Sequence, residues 1–253
     1  MKELHTDSLV RPQSLASEMS RHSDMVWISG GTFRMGSDRH YAEEAPVHRV
    51  TVDGLGSSIS GIEDHPVVHV AYSDAAAYAK WAGKDLPTEA EWEFAARGGL
   101  DGAEFAWGNE LTPGGSQMAN TWQGAFPHEN LRHDGYERTS PVTAFPANGY
   151  GIYDMIGNVW EWTSDWYSPK HEADAAKACC IPVNPRGGRE DTSYDGCQPE
   201  IRIPRKVLKG GSHLCAANYC RRYRPAARHA EPVDTSTSHV GFRCVLRLAR
   251  TSR

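Results

Sequence analysis

The chain has 253 residues, 39% of them hydrophobic, which is enough for an ordinary core in one large domain or two small ones. Its 27 basic side chains stand against 32 acidic ones, a formal charge of -5, and that balance excludes the bulk basicity of a nucleic-acid-binding protein. No apolar run is long enough to cross a membrane, and six cysteines are too few to staple a chain of this size, so they point to metal or redox chemistry in a reducing compartment.

Residues 1–24 are polar, carry no sustained period and lack the apolar core of a signal peptide. They are expected to form a disordered or loosely docked tail on a cytoplasmic protein. From Met25, MVWISGGTFRMGS predicts a strand, a turn at Gly30-Gly31 and a second strand, and HRVTVDG continues in the same style. GLGSSISGIED, Gly54 to Asp64, is a glycine and serine loop that interrupts a strand heading for the core. HPVVHVAY predicts a buried strand. Ser73 then serves as the N-cap of a helix over DAAAYAKWAGK, with Ala77, Tyr78 and Trp81 on one face. In LPTEAEWEFAARGG, Thr88 and Glu91 form a capping box, and Trp92, Ala95 and Ala96 supply the inward face of a second helix. Beyond Gly98 periodicity is weak and only short pieces such as KVLKGGS and GFRCVLRL read as strands, so much of the domain should be loop. Long loops must find partners for their backbone polar groups. The eight tryptophans are one means of fastening them, and metal ions on the acidic and amide residues near GNVWEW are another.

The stretch GGSHLCAANYCRRYRPAAR, Gly210 to Arg228, places Cys215 and Cys220 five positions apart, behind a Gly210-Gly211-Ser212 turn and ahead of Arg221, Arg222, Arg224 and Arg228. Such a pair is either buried packing or chemistry. Two soft thiolates without a histidine at metal spacing suit Cu(I), which accepts few ligands, better than zinc, which takes four. The arginines read as surface or fold ion pairs.

GGTFRMGS, HPVVHVAYSDAAAYAKWAGKDLPTEAEWEFAARGG, WGNELTP, NGYGIYDMIGNVWEWTSDWY, KGGSHLCAANYCRRYRPAAR and HVGFRC, in that order, resemble the formylglycine-generating enzyme family, also called sulfatase-modifying factors, over roughly Met25 to Leu246. The resemblance implies an α+β, C-type lectin-like fold, rich in irregular structure, with residues 25–253 as a single domain. It also implies a monomeric oxidase that uses dioxygen to turn the cysteine of a Cys-x-Pro-x-Arg segment in a target sulfatase into Cα-formylglycine, with no nucleic-acid or membrane partner. Cys215 and Cys220 match the pair that holds one copper ion, which the substrate cysteine joins as a further ligand. Ser212 matches a serine beside the site, its alternative role being a turn hydroxyl, and Trp160 matches a tryptophan lining the pocket, whereas Trp162 and Trp166 read as packing. Asn120, the Thr121 peptide oxygen, Asp134 and the Tyr136 peptide oxygen fall where the family has one structural Ca2+ site, and Asp154, Gly157, Val159 and Glu161 where it has a second. Without the resemblance these residues are turn and cap chemistry.

Cys179, Cys180 and Cys197 receive no assignment, and Cys244 is expected as a buried free thiol because Ala79 stands where some relatives place its disulfide partner. Two departures from the family pattern stand out: residues 54–64 bridge what is a long segment in relatives, an apparent internal deletion, and Ala216 replaces a polar residue. The alternatives are a non-catalytic lectin-like binding module and a related oxidase acting on another substrate, as in siderophore maturation. The sulfoxide synthases of ergothioneine synthesis carry a helical iron-binding domain for which this chain has no room.

Overall fold

The computed structural model describes residues 31–35, 48–52, 63–171, 177, 180 and 182–247, which fall into two compact units, 1–63 and 64–253. In the first unit, strands β1 (Gly31–Met35) and β2 (His48–Val52) form an antiparallel ladder with Gly31 opposite Val52 and Met35 opposite His48. These are two of the expected strands. The tail 1–24, the strand before Gly30 and residues 54–62 of the short loop lie outside the described residues.

The second unit contains helices α1 (Tyr72–Trp81) and α2 (Glu89–Arg97) and strands β3 (Trp160–Trp166), β4 (Arg205–Lys209), β5 (Arg228–Pro232) and β6 (Val240–Gly241). The strands make one sheet in the order β5-β4-β3-β6, with β4 antiparallel to both neighbours and β6 parallel to β3. The long remainder is irregular, as the lack of periodicity after Gly98 implied.

Helix α2 forms as its sequence dictates. The Glu91 N–H donates to Thr88 Oγ1 (3.1 Å) and the Thr88 N–H to Glu91 Oε2 (2.8 Å), a complete capping box. Its Trp92 and Ala96 are buried against β3 and β4. Charge reinforces the contact: Lys209 at the end of β4 is fully buried with Nζ 3.0 Å from Glu93, and Arg228 of β5 makes two bonds of 2.7 Å to Glu89.

Helix α1 departs from expectation twice. Ala71, not Ser73, is its N-cap, and the Ala71 N–H donates to Asp74 Oδ2 at 2.9 Å. The buried residues are Ala75 and Ala79, with Tyr72 and Ala76 packed beside the core, whereas Tyr78 is 51% and Trp81 81% exposed. Small methyl side chains let the helix backbone lie close to the core, and the aromatic side of the helix turns outward, Tyr78 touching Trp81 and Phe242 with ring centres 5.6 and 5.5 Å apart.

HPVVHVAY is not a strand. His69 adopts φ 58°, which breaks any extended run, and the neighbouring backbone groups bond to loops and side chains instead: the His69 N–H donates to Thr237 O (2.9 Å) and the Trp162 indole N–H to Val70 O (3.0 Å). Val67 is 51% exposed. Among its described residues GFRCVLRL likewise contributes only Gly241 to β6 and one isolated bridge, Val245 with Asp85. Conversely, β3 escaped notice because Trp160 to Thr163 are all buried, which removes the polar–apolar alternation of a half-buried strand. Cys244 is half-buried rather than buried, and burial raises its thiol pKa. Cys180 and Cys197 are exposed, and Cys179 lies outside the described residues.

Candidate functional site

The chain leaves β4 at Lys209 and turns through Gly210 and Gly211, both at positive φ. A Cβ on Gly211 would come within 2.9 Å of the Tyr223 backbone, so only glycine lets the turn lie flat on that segment. The Cys215 N–H donates to Ser212 O (2.9 Å) and the Cys220 N–H to Ala216 O (2.9 Å), two successive tight turns. They carry the two sulfurs to 3.2 Å from each other.

Cys215 is buried and Cys220 half-buried. The two sulfurs share a hydrogen bond, for which the more buried Cys215 is the better-suited thiol donor, and Arg222 Nη1 stands 3.8 Å from the Cys220 sulfur. Together they overcome burial and lower the Cys220 pKa to about 6. The same hydrogen bond, with burial behind it, pushes Cys215 far upward. At neutral pH the pair is one thiol and one thiolate. Ser212 has no exposed surface; its Oγ accepts from the Leu214 N–H (3.2 Å), the turn role, while its own N–H donates to the Cys215 sulfur (3.4 Å).

Trp160 is buried in the same core cluster as Cys215 and Tyr223, its ring 5.5 Å from that of His229. Trp162 and Trp166 are packing residues: Trp162 is fully buried, and Trp166 lies under the Lys206 ammonium at 3.4 Å. Among the arginines, Arg221 pairs with Glu104 (2.7 Å), Arg228 with Glu89, and Arg224 bonds the Arg221 carbonyl. Arg222 is the exception, because it faces the thiolate; its place two residues after Cys220 was the available signal. Tyr219, 70% exposed, stacks on Phe126 at 4.5 Å and leaves an open aromatic ledge next to Cys220 in the chain.

Two oxygen-rich loops adjoin the cysteine turn. In the first, Asp134 gathers the Thr121 N–H and the Tyr136 N–H (both 3.0 Å), and the Trp122 N–H donates to Cys215 O (3.1 Å). Gln123, absent from the expected set, places its side-chain Nε2 against Thr121 O and Asp134 Oδ2 (2.8 Å). Asn120 is buried and donates from Nδ2 to Arg138 O at 2.7 Å. In the second loop, Asp154 sits at φ 52° with both carboxylate oxygens buried and, among the described residues, without a hydrogen-bond partner. Burial raises its pKa to about 6; Arg243 opposes that rise and Glu161 adds to it. Glu161 accepts from the Trp92 indole (2.7 Å) and from Arg243 (2.5 and 2.6 Å). A cavity of about 420 Å³ is lined by Asp154, Glu161, Tyr153, Asn158, Phe242 and Arg243 among others. An unpartnered buried carboxylate beside a second one fits a hard cation that also takes peptide oxygens.

Asn158 and His213, which sequence reading missed, join these parts. The Asn158 N–H donates to Asn120 O (2.8 Å), its side chain exchanges two 3.0 Å bonds with the Ser140 backbone, and its carbonyl receives both the N–H and the ring Nδ1 of His213 (2.9 Å each). A carbonyl only accepts, so Nδ1 carries the hydrogen. Burial lowers the His213 pKa and keeps the ring neutral. Among the described residues no three His, Cys, Asp or Glu side chains converge.

A small sheet, two helices and long hydrogen-bonded loops that present a thiol–thiolate pair define an α+β protein of C-type lectin-like architecture. Two solved structures share the fold: PvdO from Pseudomonas aeruginosa (22% identity, TM-score 0.52, covering 86% of this chain and 91% of that one) and Treponema denticola variable protein 1 (20%, 0.54, covering 85% and 92%). The chain belongs to the sulfatase-modifying factor enzyme 1-like family, whose domain matches residues 53–248. It is 42% identical over 303 positions to the formylglycine-generating enzyme of Mycobacterium tuberculosis, covering 88% of this chain and 97% of the relative. It is 53% identical over 192 positions to that of Thermomonospora curvata, covering 76% and 59%. The 303 positions exceed the 253 residues of this chain, so the mycobacterial relative carries residues within the match that this chain lacks. Against the Thermomonospora relative and others the chain spans little more than half of their length.

Proposed function

We propose that the chain is a copper-dependent oxidase that converts the cysteine of a Cys-x-Pro-x-Arg segment in a sulfatase polypeptide to Cα-formylglycine with dioxygen. The observation that carries this reading is the Cys215–Cys220 pair, its sulfurs brought to 3.2 Å from each other by two successive tight turns. Family membership alone does not decide the matter, since a Bos taurus relative 39% identical over 76% of this chain bears the name inactive Cα-formylglycine-generating enzyme 2.

Paired soft sulfurs fit Cu(I), and Cys215 and Cys220 would hold it. When bound, the ion supplies a soft, electron-rich centre for the substrate sulfur and for dioxygen. The protein contributes the rest. Cys220 is already ionised, so only Cys215 must give up a proton on metal binding. The Ser212 N–H steadies the charge on Cys215, and Arg222 offsets the charge on Cys220. Trp160 and Tyr223, both buried, close the inner side against water. Loss of one hydrogen from the substrate Cβ and one from its sulfur gives a C=S group, and water then replaces sulfur, leaving the aldehyde and hydrogen sulfide. Reduction of dioxygen to two waters takes two more electrons than the substrate yields, so the reaction consumes a thiol reductant. A reducing, cytoplasmic setting and a monomeric chain belong to this reading. So does Ca2+ at Asp154, Gly157, Val159 and Glu161, supported by the unpartnered Asp154 oxygens, and at Asn120, Thr121, Asp134 and Tyr136.

The test is titration of the reduced protein with Cu(I) against a competing chelator, then addition of a Cys-x-Pro-x-Arg peptide in air with a thiol reductant while peptide mass is followed. The expected result is one copper per chain, lost in Cys215→Ser and in Cys220→Ser, with the peptide CH2SH replaced by CHO. Absence of copper binding, or copper binding with an unchanged peptide, overturns the assignment.

A further inference from the structure

We propose that the Asp154 loop and the cysteine loop form one coupled unit, so that Ca2+ bound at Asp154 tightens the grip of Cys215 and Cys220 on Cu(I); this rests on the copper and calcium readings above. The segment 154–161 has two sides. One presents Asp154, whose carboxylate oxygens are buried and unpartnered, and Glu161. The other holds the cysteine turn directly: the Gly157 N–H donates to Gly210 O (2.9 Å), and the Asn158 carbonyl receives His213 twice at 2.9 Å.

Three of the four residues assigned to the cation, Gly157, Val159 and Glu161, are tied by hydrogen bonds to the surrounding loops. The Gly157 carbonyl shares its peptide with the Asn158 N–H, which donates to Asn120 O (2.8 Å). The Val159 carbonyl shares its peptide with the Trp160 N–H, which donates to His239 O (2.8 Å). A cation on either oxygen polarises that peptide and strengthens its N–H bond. Glu161 receives the Trp92 indole, whose ring edge lies 3.1 Å from the position a Gly210 Cβ would take. The contacts leave little slack, because a Cβ on Gly157 would stand 2.5 Å from Asn120 O. Without a cation two carboxylates, Asp154 and Glu161, line one cavity, and among the described residues Arg243 offsets them. A shift that relieves them reaches Gly210 and His213, and through them Cys215.

Coupling between two sites is reciprocal and commonly amounts to about fivefold or more in affinity. The experiment measures Ca2+ uptake by calorimetry and Cu(I) affinity by chelator competition, each with and without the other ion, on the reduced full chain. The expected result is Cu(I) binding about fivefold tighter in saturating Ca2+, and Ca2+ binding tighter by the same factor with Cu(I) present. Asp154→Asn should bind Cu(I) but respond to Ca2+ less than the parent does, because it keeps only the Asn120–Tyr136 site, whose Thr121 carbonyl shares a peptide with the Trp122 N–H bonded to Cys215 O. His213→Leu should keep both ions but lose most of the coupling, and His213→Asn, which restores a donor near the Nδ1 position, should recover it. If both ions bind but neither affects the other, the coupling fails while both site readings stand. Failure to bind Ca2+ removes the calcium reading and the coupling together, and failure to bind Cu(I) does the same for the copper reading.

Discussion

Asp154→Asn should make the cation-free protein more stable. The Asp154 carboxyl is held at about 6 against an ordinary 3.8, chiefly by burial and secondarily by Glu161, with Arg243 opposing. At neutral pH the folded state therefore carries a carboxylate it disfavours, at a cost of about 3 kcal/mol taken directly and about 2 kcal/mol once screening by the solvent that reaches the group is allowed for. The sign follows from proton binding. Between the unfolded and folded pKa the native state binds more protons than the unfolded chain, so stability falls as pH rises through that window and the whole penalty is present above about pH 6. An asparagine carries no such penalty. In a chelating buffer at pH 7, urea unfolding followed by tryptophan fluorescence should show Asp154→Asn more stable by about 2 kcal/mol, and the gap should close as pH falls towards 4. In Ca2+ the order should reverse, because a ligand at one hundred times its Kd adds about 2.7 kcal/mol to a protein that binds it only when folded. A variant less stable than the parent in chelator at pH 7 refutes the reasoning, since Asp154 would then have a partner the structure does not give it.

Three further outcomes are expected. Iodoacetamide should modify Cys220 with a midpoint near pH 6 while Cys215 stays unmodified at neutral pH, and Cys215→Ala should raise that midpoint more than Arg222→Leu does, because the Cys215 hydrogen bond is the larger cause; peptide mass mapping reads both. Thr88→Ala should cost about 1 kcal/mol by removing the α2 cap, measured by thermal unfolding. Lys209→Met should cost about 3 kcal/mol in urea unfolding, since the wholly buried Lys209 is shared by the buried Glu89 and the partly exposed Glu93, which keep Arg228 and Arg97 as their arginine partners among the described residues.

The two cysteines and the second helix could be read from the chain because their information is local. Thr88 and Glu91 bond each other across three residues, and the cysteine turn is closed by bonds no longer than four residues. What sequence reading missed depends on distant partners. Helix α1 turns Ala75 and Ala79 inward and leaves the larger Tyr78 and Trp81 exposed, the reverse of what side-chain hydrophobicity alone suggests. His69 breaks the 65–72 segment with a left-handed residue whose N–H partner is 168 positions away at Thr237. Gln123, Asn158 and His213 carry no motif; they matter because their side chains or carbonyls meet loops that the fold, not the spacing, brings together.

The same distinction explains how so small a sheet supports a reactive site. Four short strands cannot position Cys215 and Cys220, which lie beyond the end of β4. Their placement comes instead from buried polar bonds that are costly to leave unmade. Asn158 concentrates that task. It tolerates φ 59°, which few residues other than glycine do, and unlike glycine it offers a side chain that both gives and accepts a bond to Ser140. Its backbone meanwhile serves Asn120 on one side and His213 on the other. An aspartate there would face the Ser140 carbonyl with a second oxygen, and an alanine would strain the backbone and leave Ser140 unpaired. The thiol pair is thus held by a residue that touches neither sulfur, and the chemistry of the site is tied to polar loops more than to the apolar core beneath them.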